Sequence, residues 1–325
     1  MPFASTAGLW QELAQYAIAG LTTGTLFALI ALGYTMVYGI VELINFAHGD
    51  LFMLGCFLAL TLLLPFGFGG LGLEATLKAE DASGWVIAAA IALCLVVVMP
   101  FCGAVNFAVD RVVYKPLRNA PRLAPLVSAI GVSFIFMNVG LFWGGAQDVN
   151  FPKLLPDTNL IGPDDAPVRF TAKNLMVVGV TVPLMIALTL FVQYSRLGKA
   201  MRATAQNPTA ARLMGINTDA VIGITFAIGG ALAGAGSVVY SLSINTISFT
   251  MGFQNGLYAF TAAVLGGIGR IPGAVLGGLI IGLVRSFGSA YVGENWSDAL
   301  VFGILIVILV FRPTGLLGSP TREKV

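Results

Sequence analysis

The residues best suited to chemistry form a small polar island inside a long apolar run. The run extends from Tyr16 to Leu64. The island within it contains Glu42, Asn45, His48, Gly49 and Asp50. Ionisable groups are costly to bury between apolar segments, and within a membrane they mark the path of a solute or an ion. We therefore predict that Asn45, His48, Gly49 and Asp50 border a translocation pathway.

The sequence of this island is compatible with two backbone structures. In the first, Gly49 stops one helix and Asp50 caps the next, and the exposed backbone dipoles at the break help a polar solute to cross. In the second, the island is a plain loop between two hairpin helices, with Asp50 as a helix cap and His48 at the membrane interface. His48 is the only histidine, and no cysteine lies at ligand spacing from it, so no metal site is predicted.

The composition of the chain excludes most classes of soluble protein. Of the 325 residues, 57% are hydrophobic and only 10% are charged, and the mean hydropathy is +0.90. A soluble protein carries roughly 25% charged residues. The net charge of +2 is too small for a nucleic-acid partner. These values predict a polytopic membrane protein whose main neighbour is the lipid bilayer.

Apolar stretches of about 20 residues are long enough to cross a bilayer as helices. Such stretches, some of them shorter, lie at about residues 13–40, 50–65, 86–109, 123–144, 174–194, 219–241, 253–266, 272–290 and 298–311. A spanning segment must satisfy its own backbone hydrogen bonds. The predicted fold class is therefore all-α, with about eight or nine transmembrane helices, some short or discontinuous, in a single transmembrane domain over residues 1–325.

The basic residues predict which loops face the cytoplasm. Segments 110–122 and 196–217 are rich in Lys and Arg, as is the tail with Arg312, Arg322 and Lys324. The positive-inside rule places all three in the cytoplasm. Alternation of the spans then puts the N-terminus and segments 66–85 and 145–173 outside. The outer segment 145–173 is long and mixes acidic with basic residues, so it is either a docking surface for a soluble partner or a solvated connector.

The cytoplasmic segment contains the signals of a short helix. Asn207 fits the N-cap, Pro208 the first helical position and Gly215 the position after the C-cap. A helix of about two turns is not stable alone and needs a partner surface. That surface is either the bilayer or a groove in another protein, and the Ala-rich face with Leu213 and Met214 suits both.

Glycines predict close packing and one sharp turn. Gly230–Gly234, Gly273–Gly277 and Gly278–Gly282 each fit the small-residue spacing that lets two helix backbones approach in a membrane. The run from Gly266 to Gly273 also contains Gly267, Gly269 and Pro272 and cannot stay one regular helix. A tight cytoplasmic turn is favoured, and a pore-lining helix break is the alternative.

The motifs of an enzyme are missing from the sequence. The only Gly-Lys pair, Gly198-Lys199, is followed by Ala200 and has no glycine at the upstream position of a nucleotide-binding loop. The scattered carboxylates form no acid–base pair, and no nucleophilic triad or redox motif is present. We predict a membrane conduit or scaffold that is not an enzyme, has no cofactor of its own and is powered elsewhere.

Several segments together resemble one transport family. They are Thr35 to Gly39 (TMVYG), Ile44 to Asp50 (INFAHGD), Phe52 to Gly55, Gln206 to Asn217, Gly266 to Gly273 and Phe311 to Leu317. In this order they are similar to the LivH-type permease of branched-chain amino acid ABC importers. The likeness covers nearly the whole chain.

The resemblance implies a permease subunit of the bacterial inner membrane. Its expected partners are a second, LivM-like permease, two cytoplasmic ATPase subunits that use ATP, and a periplasmic substrate-binding protein that delivers the amino acid. Gly266, Gly267 and Gly269 would border the pathway together with the island. The helix that couples the permease to an ATPase would contain Arg202, Asn207, Pro208, Ala211, Arg212, Leu213 and Gly215.

Alternatives remain within and outside this family. Relatives of the same type take up urea or short amides, and the chain alone does not separate these substrates from branched-chain or other neutral amino acids. A secondary transporter or channel would work without ATPases. Alternating access driven by separate ATPase subunits is the mechanism that the resemblance implies.

Overall fold

The computed structural model describes residues 6–64, 84–118, 120–121, 123–163 and 165–318. Segment 66–85 is therefore described only at its end, and Arg122, Asp164, Arg322, Glu323 and Lys324 lie outside the described residues. The helices are α1 (Thr6–Val41), α2 (Ala47–Leu63), α3 (Gly84–Val109), α4 (Lys115–Leu117), α5 (Leu123–Gly144), α6 (Ala172–Tyr194), α7 (Arg196–Gln206), α8 (Pro208–Leu213), α9 (Thr218–Ile244), α10 (Met251–Gly266), α11 (Ile271–Tyr291) and α12 (Glu294–Phe311). A π-helical turn, Asp110–Tyr114, joins α3 to α4, and two short strands are β1 (Val149–Asn150) and β2 (Thr246–Ile247).

Each predicted apolar span coincides with one helix, and the all-α polytopic prediction is confirmed. Within the described residues, seven helices are long and apolar enough to cross a membrane. The two remaining predicted spans are short helices, α2 with 17 residues and α10 with 16. The prediction that some spans are short or discontinuous is therefore also confirmed.

The helices differ in how deeply they lie in the bundle. Most of α1 and α9 is buried, whereas most residues of α5, α6 and α12 are on the surface. Apolar side chains cover that surface, which matches a lipid environment rather than water. The short helix α2 packs mainly against α9 and α5, and the short helix α10 packs against α11, α1 and α2.

Glycines let the central helices approach each other closely. A side chain at Gly278 or Gly282 of α11 would overlap the backbone of α1 at Ala28 or Gly24. Gly230 and Gly234 of α9 face the backbone of α3 in the same way. The close packing predicted from the small-residue spacing is confirmed, because without an apolar driving force in lipid the helices associate through such contacts.

The bundle has two chemically distinct ends. The basic end holds α4, α7, α8 and the turn between α10 and α11, and Arg118 of the first basic segment is 2.6 Å from Asp219 beside the second. The loop end holds segment 145–171, and the backbone N–H of Arg169 there donates to Gln15 near the start of α1. The two basic segments that were predicted to face the cytoplasm therefore lie at one end of the bundle, and the start of α1 and segment 145–171 lie together at the other.

Candidate functional site

The polar island begins with a break in the helical backbone. Residues 42–46 between α1 and α2 are not helical, and Glu42 has a left-handed backbone with φ of 54°. α2 then begins at Ala47, so Gly49 and Asp50 lie in its first turn. The prediction that Gly49 stops a helix and Asp50 caps the next is wrong. The sequence gives no glycine at the real break, and Gly49 serves helix packing instead.

The break begins at the exposed Glu42 and leads into the inside of the bundle at Asn45. His48 faces Gly33 of α1, where any side chain would collide with the imidazole ring. Gly33 precedes the end of α1 by eight residues, which is ~12 Å along a helix. Asn45 and His48 are both almost fully buried. The structure therefore has a discontinuous span here, and the alternative of a plain loop at the interface does not apply.

The two short helices meet at their first turns. A Cβ atom at Gly49 of α2 would collide with the carbonyl oxygen of Gly252 and would lie 2.7 Å from Cα of Gly256, both in α10. This contact joins the start of α10 to the start of α2, which lies beside Gly33 of α1, so both short helices begin inside the bundle. Short helices that begin inside a membrane protein are typical of solute sites in transporters.

We expect Gly49→Ala to destabilise the protein by about 1–3 kcal/mol, because the added methyl group would force α2 and α10 apart. Thermal unfolding in detergent would measure the loss. Gly131→Ala is the matched control, since nothing lies within 4 Å of a Cβ atom at Gly131 of α5. Equal stabilities of the two variants would contradict the close contact of α2 with α10.

His48 occupies a closed part of the island. Its ring lies edge-on to Tyr34, with 4.7 Å between the ring centroids, and its Nε2 atom has no hydrogen-bond partner among the described residues. The cavity beside it, which Asn45 and Phe260 also line, has a volume of about 10 Å³. That space admits about one water molecule. A solute the size of an amino acid does not fit beside His48 in this conformation.

Asp50 is a fully buried carboxylate at the junction of the short helices. Its Oδ2 atom accepts a hydrogen bond from the Ser133 hydroxyl of α5. Its Oδ1 atom has no hydrogen-bond partner in the described part of the chain. Asp50 lies in the first turn of α2 and touches the first turn of α10 at Gly252. The positive ends of two helix dipoles therefore stabilise its negative charge.

A groove of about 590 Å³ opens on the surface beside Ser133. It lies between α5 and α10 next to the start of α2. Apolar side chains line most of it, including Phe46, Ile130, Phe134 and Phe253, and its polar lining consists of Ser133 and Thr250. The groove is large enough for a small ligand.

Asn45 anchors the break to the rest of the bundle. Its amide nitrogen donates to Asn106 Oδ1 over 3.2 Å, and its amide oxygen accepts from the Tyr114 hydroxyl over 2.9 Å. Asn106 donates in turn to the carbonyl oxygen of Phe226 in α9 over 2.6 Å. Asn45, Asn106 and Tyr114 are almost fully buried, so each satisfied bond avoids a desolvation penalty.

An ion cluster continues this network to the basic end. Asp110, which opens the π-helical turn, is fully buried and accepts from Arg118 over 2.7 Å. Arg118 also pairs with Asp219 in the first turn of α9, and Lys115 lies 3.3 Å from the same carboxylate. The π-helical turn aligns Tyr114 with Asn45 on one side and Asp110 with Arg118 on the other. Such turns are frequent at functional sites.

The predicted short helix is present as α8. The Asn207 side chain accepts from the backbone N–H of Ala210 over 3.0 Å, Pro208 opens the helix, and Gly215 follows it with φ of 83°. These cap predictions are confirmed. Before it, Arg202 of α7 donates to two carbonyl oxygens at the end of α6.

The face that α8 presents differs from the predicted one. Ala211 is buried against its own chain, while Leu213 and Met214 are 84% and 83% exposed. Arg212 donates from Nε to the Thr218 hydroxyl over 2.8 Å, which ties α8 to the first turn of α9. Ala211 therefore does not belong to the accessible apolar surface, most of which is provided by Leu213 and Met214. The guanidinium of Arg212 also lies 4.0 Å from the Asp219 carboxylate of the ion cluster.

The glycine run forms the predicted tight turn between α10 and α11. Gly267 and Gly269 have φ of 105° and 88°, which other residues rarely adopt. Gly266 packs on the backbone of Gly273. Gly269 lines an opening of about 770 Å³ at the basic end, together with Arg202. Of the three glycines predicted to border a pathway, Gly269 thus faces open space, and Gly266 and Gly267 pack against backbone.

The C-terminal motif closes the end of α10. The backbone N–H groups of Leu316 and Leu317 donate to the carbonyl oxygens of Leu265 and Gly266 over 2.8 and 3.0 Å. A helix leaves its last carbonyl groups without internal partners. The segment after α12 supplies these partners from a distant part of the chain.

The loop segment 145–173 is tied to the bundle. β1 pairs with β2 in antiparallel register, with Val149 opposite Ile247. Lys173 lies 2.8 Å from both the Asp157 carboxylate and the Asn245 side chain. The hydrogen bond from Lys173 lowers the pKa of the exposed Asp157 carboxyl below its usual value. The segment is thus fixed to the rest of the protein near both of its ends, by the strand pairing at Val149 and by the contacts of Lys173.

Several residues of the site were missed in the sequence. Asn106, Tyr114 and Ser133 contact the island, and none was predicted. Asn106 and Ser133 are among the few polar residues in spans that are mostly apolar, each without a polar neighbour beside it in the sequence. That isolation is the signal that could have found them, because a polar group inside a bilayer needs a partner.

Comparisons with known proteins agree with this architecture. The family model described as branched-chain amino acid transport system / permease component matches residues 16–310. The chain belongs to this permease family. BraD of Pseudomonas aeruginosa, a high-affinity branched-chain amino acid transport system permease protein, is 42% identical over 96% of this chain and 97% of its own. LivH of Escherichia coli K12, of the same description, is 40% identical over 94% and 96%. No solved structure matches.

Membership in the permease family defines the class of the protein. It is a multi-pass membrane permease component of an ABC transport system and not an enzyme, since ATP hydrolysis in such a system takes place in separate subunits. Other subunits must therefore complete the transporter. The resemblance to LivH-type permeases inferred from the sequence motifs is confirmed.

Proposed function

We propose that this chain is one of two permease subunits of an importer for branched-chain amino acids in the bacterial inner membrane. The observation that carries the proposal is the near full-length likeness to BraD and LivH, which are permease proteins of high-affinity branched-chain amino acid transport systems. Two short helices that meet inside the bundle support it, because such helices border solute sites in transporters.

The two ends of the bundle suit two kinds of partner. The basic end lies in the cytoplasm by the positive-inside rule. There α8 is the coupling helix, and its exposed Leu213 and Met214 enter a groove of an ATPase subunit. The loop end faces the periplasm, and segment 145–173 offers a shaped surface for the substrate-binding protein. The second permease is LivM-like and completes the pathway.

The mechanism is alternating access. The loaded binding protein docks at the loop end, ATP draws the two ATPase subunits together, and the coupling helices move with them. α8 is joined to α9 through Arg212 and Thr218, and the ion cluster of Asp219, Arg118 and Asp110 adjoins that point. Movement of α8 therefore acts on the π-helical turn and, through Tyr114, on Asn45 at the break. ATP is used only by the partner subunits.

Reconstitution tests this function. We expect proteoliposomes that hold the permease pair and the ATPases to take up leucine when ATP is inside and the loaded binding protein is outside. Omission of ATP, of the ATPases or of the binding protein should each reduce uptake to background. Uptake without ATPases would indicate a secondary transporter or channel. Uptake of urea or acetamide in place of leucine would assign the protein to the other substrate class.

A further inference from the structure

The groove between α5 and α10 lies at a depth where a membrane transporter holds its solute. Ser133 follows the start of α5 at the basic end by ten residues, which is ~15 Å along the helix. That distance is about half of a hydrocarbon core of ~30 Å. The first turns of α2 and α10 reach the same level, because Ser133 contacts Asp50 and Asp50 contacts Gly252.

The polar part of the groove, at Ser133, has hydrogen-bond acceptors that are not used within the described part of the subunit. Asp50 is fully buried and its Oδ1 atom has no hydrogen-bond partner in the described residues. Ser133 uses its proton to bond Asp50 Oδ2, so the lone pairs of its oxygen stay free to accept from a ligand. The negative charge behind Ser133 makes this oxygen suitable for a cationic donor, such as an ammonium group.

The N-terminus of α10 is a second polar feature of the same groove. Thr250 precedes α10 and lines the groove, and its side chain does not cap the helix. The backbone N–H of Met251 donates to the carbonyl oxygen of Ser248 over 3.4 Å, whereas the N–H groups of the next residues in the first turn have no partner within the helix. Free N–H groups at the positive end of a helix dipole suit a carboxylate. One corner of the groove thus offers a site for an ammonium group beside a site for a carboxylate.

The rest of the groove is apolar and of suitable size. Its wall contains Phe46, Ile130, Phe134 and Phe253. The volume of about 590 Å³ is in the usual range for small ligands. Ile130, Phe134 and Phe253 are all more than 40% exposed in the single subunit, so one side of the groove is open until another surface covers it.

We propose that this groove is the subunit's share of the amino-acid site. The Ser133 oxygen, with the Asp50 carboxylate behind it, binds the ammonium group, the start of α10 binds the carboxylate, and the apolar wall holds the side chain. The proposal rests on the proposed function for the class of substrate. A lipid chain fits the apolar wall as well, but it offers no donor to the Ser133 oxygen, which lines the groove in front of a buried carboxylate that is costly to retain. The second permease subunit closes the open side.

Uptake of leucine per ATP hydrolysed tests the proposal in the complete transporter. We expect Ser133→Ala to lower this ratio about tenfold, because one hydrogen bond to a charged group is lost. Ile130→Trp should lower it similarly by filling the groove. ATP hydrolysis stimulated by the binding protein should persist in both variants. Ser128→Ala, the same change on the same helix, is the control and should transport as wild type does.

The outcomes separate the groove from the overall function. If wild type takes up leucine and Ser133→Ala retains the same ratio, the amino-acid site lies elsewhere. Full uptake by Ile130→Trp would show that the substrate does not occupy the groove and would overturn the proposal. Failure of wild type to take up leucine would reject the proposed function itself. If a variant folds poorly, photolabelling of the wild-type transporter with a diazirine analogue of leucine gives a second readout. Adducts within residues 130–137 or 250–257 would support the groove as the site. Adducts found only elsewhere would overturn the proposal.

Discussion

We expect the double substitution Leu213→Asp, Met214→Asp to lower ATP-driven uptake by about a hundredfold or more. The two side chains are 84% and 83% exposed in the free subunit, so the substitutions leave its own packing intact. In the transporter they would place two carboxylates in an apolar interface with the ATPase, and buried unpaired charges cost several kcal/mol. The measurement is uptake of leucine together with ATP hydrolysis in proteoliposomes.

The matched control exchanges the same two side chains. Leu213→Met, Met214→Leu keeps the apolar area of α8 and should retain most of the uptake, because volume-conserving exchanges are well tolerated. Thermal unfolding of the isolated permease pair should be unchanged in both variants. Normal uptake by the Asp variant would show that the ATPase contacts another part of the basic end.

Asp110→Asn is expected to destabilise the permease by about 2–3 kcal/mol. Asp110 is fully buried, and the Arg118 guanidinium that it pairs with is only 14% exposed. Asn has the same shape but no charge, so Arg118 would retain a single partner, Asp219, for a largely buried cation. Removing one member of a buried ion pair is strongly destabilising. Thermal or chemical unfolding in detergent measures the effect.

Asp219→Asn provides the comparison within the same cluster. Its carboxylate pairs with Arg118 and Lys115 but is 37% exposed, and solvent-exposed ion pairs contribute at most about 1 kcal/mol. The Asp110 variant should therefore lose more stability than the Asp219 variant. A loss of the same size in both would mean that burial does not control the strength of this cluster.

The helices could be predicted well from the sequence because a lipid environment restricts the secondary structures that a spanning segment can form. Backbone groups in a bilayer must bond within their own segment, so apolar length alone locates α3, α5 and α11 nearly to the residue. Caps are local as well, and Asn207 and Gly215 could be assigned from neighbouring residues. The small-residue spacing of Gly278 and Gly282 likewise identified a contact, although not its partner, α1.

The site itself was less predictable, because its contacts join distant segments. Asp50 was assigned as a cap, yet the structure places it inside the first turn of α2 with Ser133 of α5 as its partner. Nothing near either residue in the chain specifies that pairing. Gly49 illustrates the same limit: a glycine can stop a helix or admit a neighbouring backbone, and only the position of α10 decides between these roles. The antiparallel pairing of β1 with β2 is also nonlocal.

The bond between the C-terminal segment and α10 imposes an order on biosynthesis. Leu316 and Leu317 donate to the end of α10, but they leave the ribosome only after α11 and α12. Until then the last carbonyl groups of α10 must be solvated at the membrane surface. The turn at Gly267 therefore reaches its final structure only when the whole chain has been inserted, and a chain truncated before Leu316 would carry every span yet leave this turn without its final hydrogen bonds.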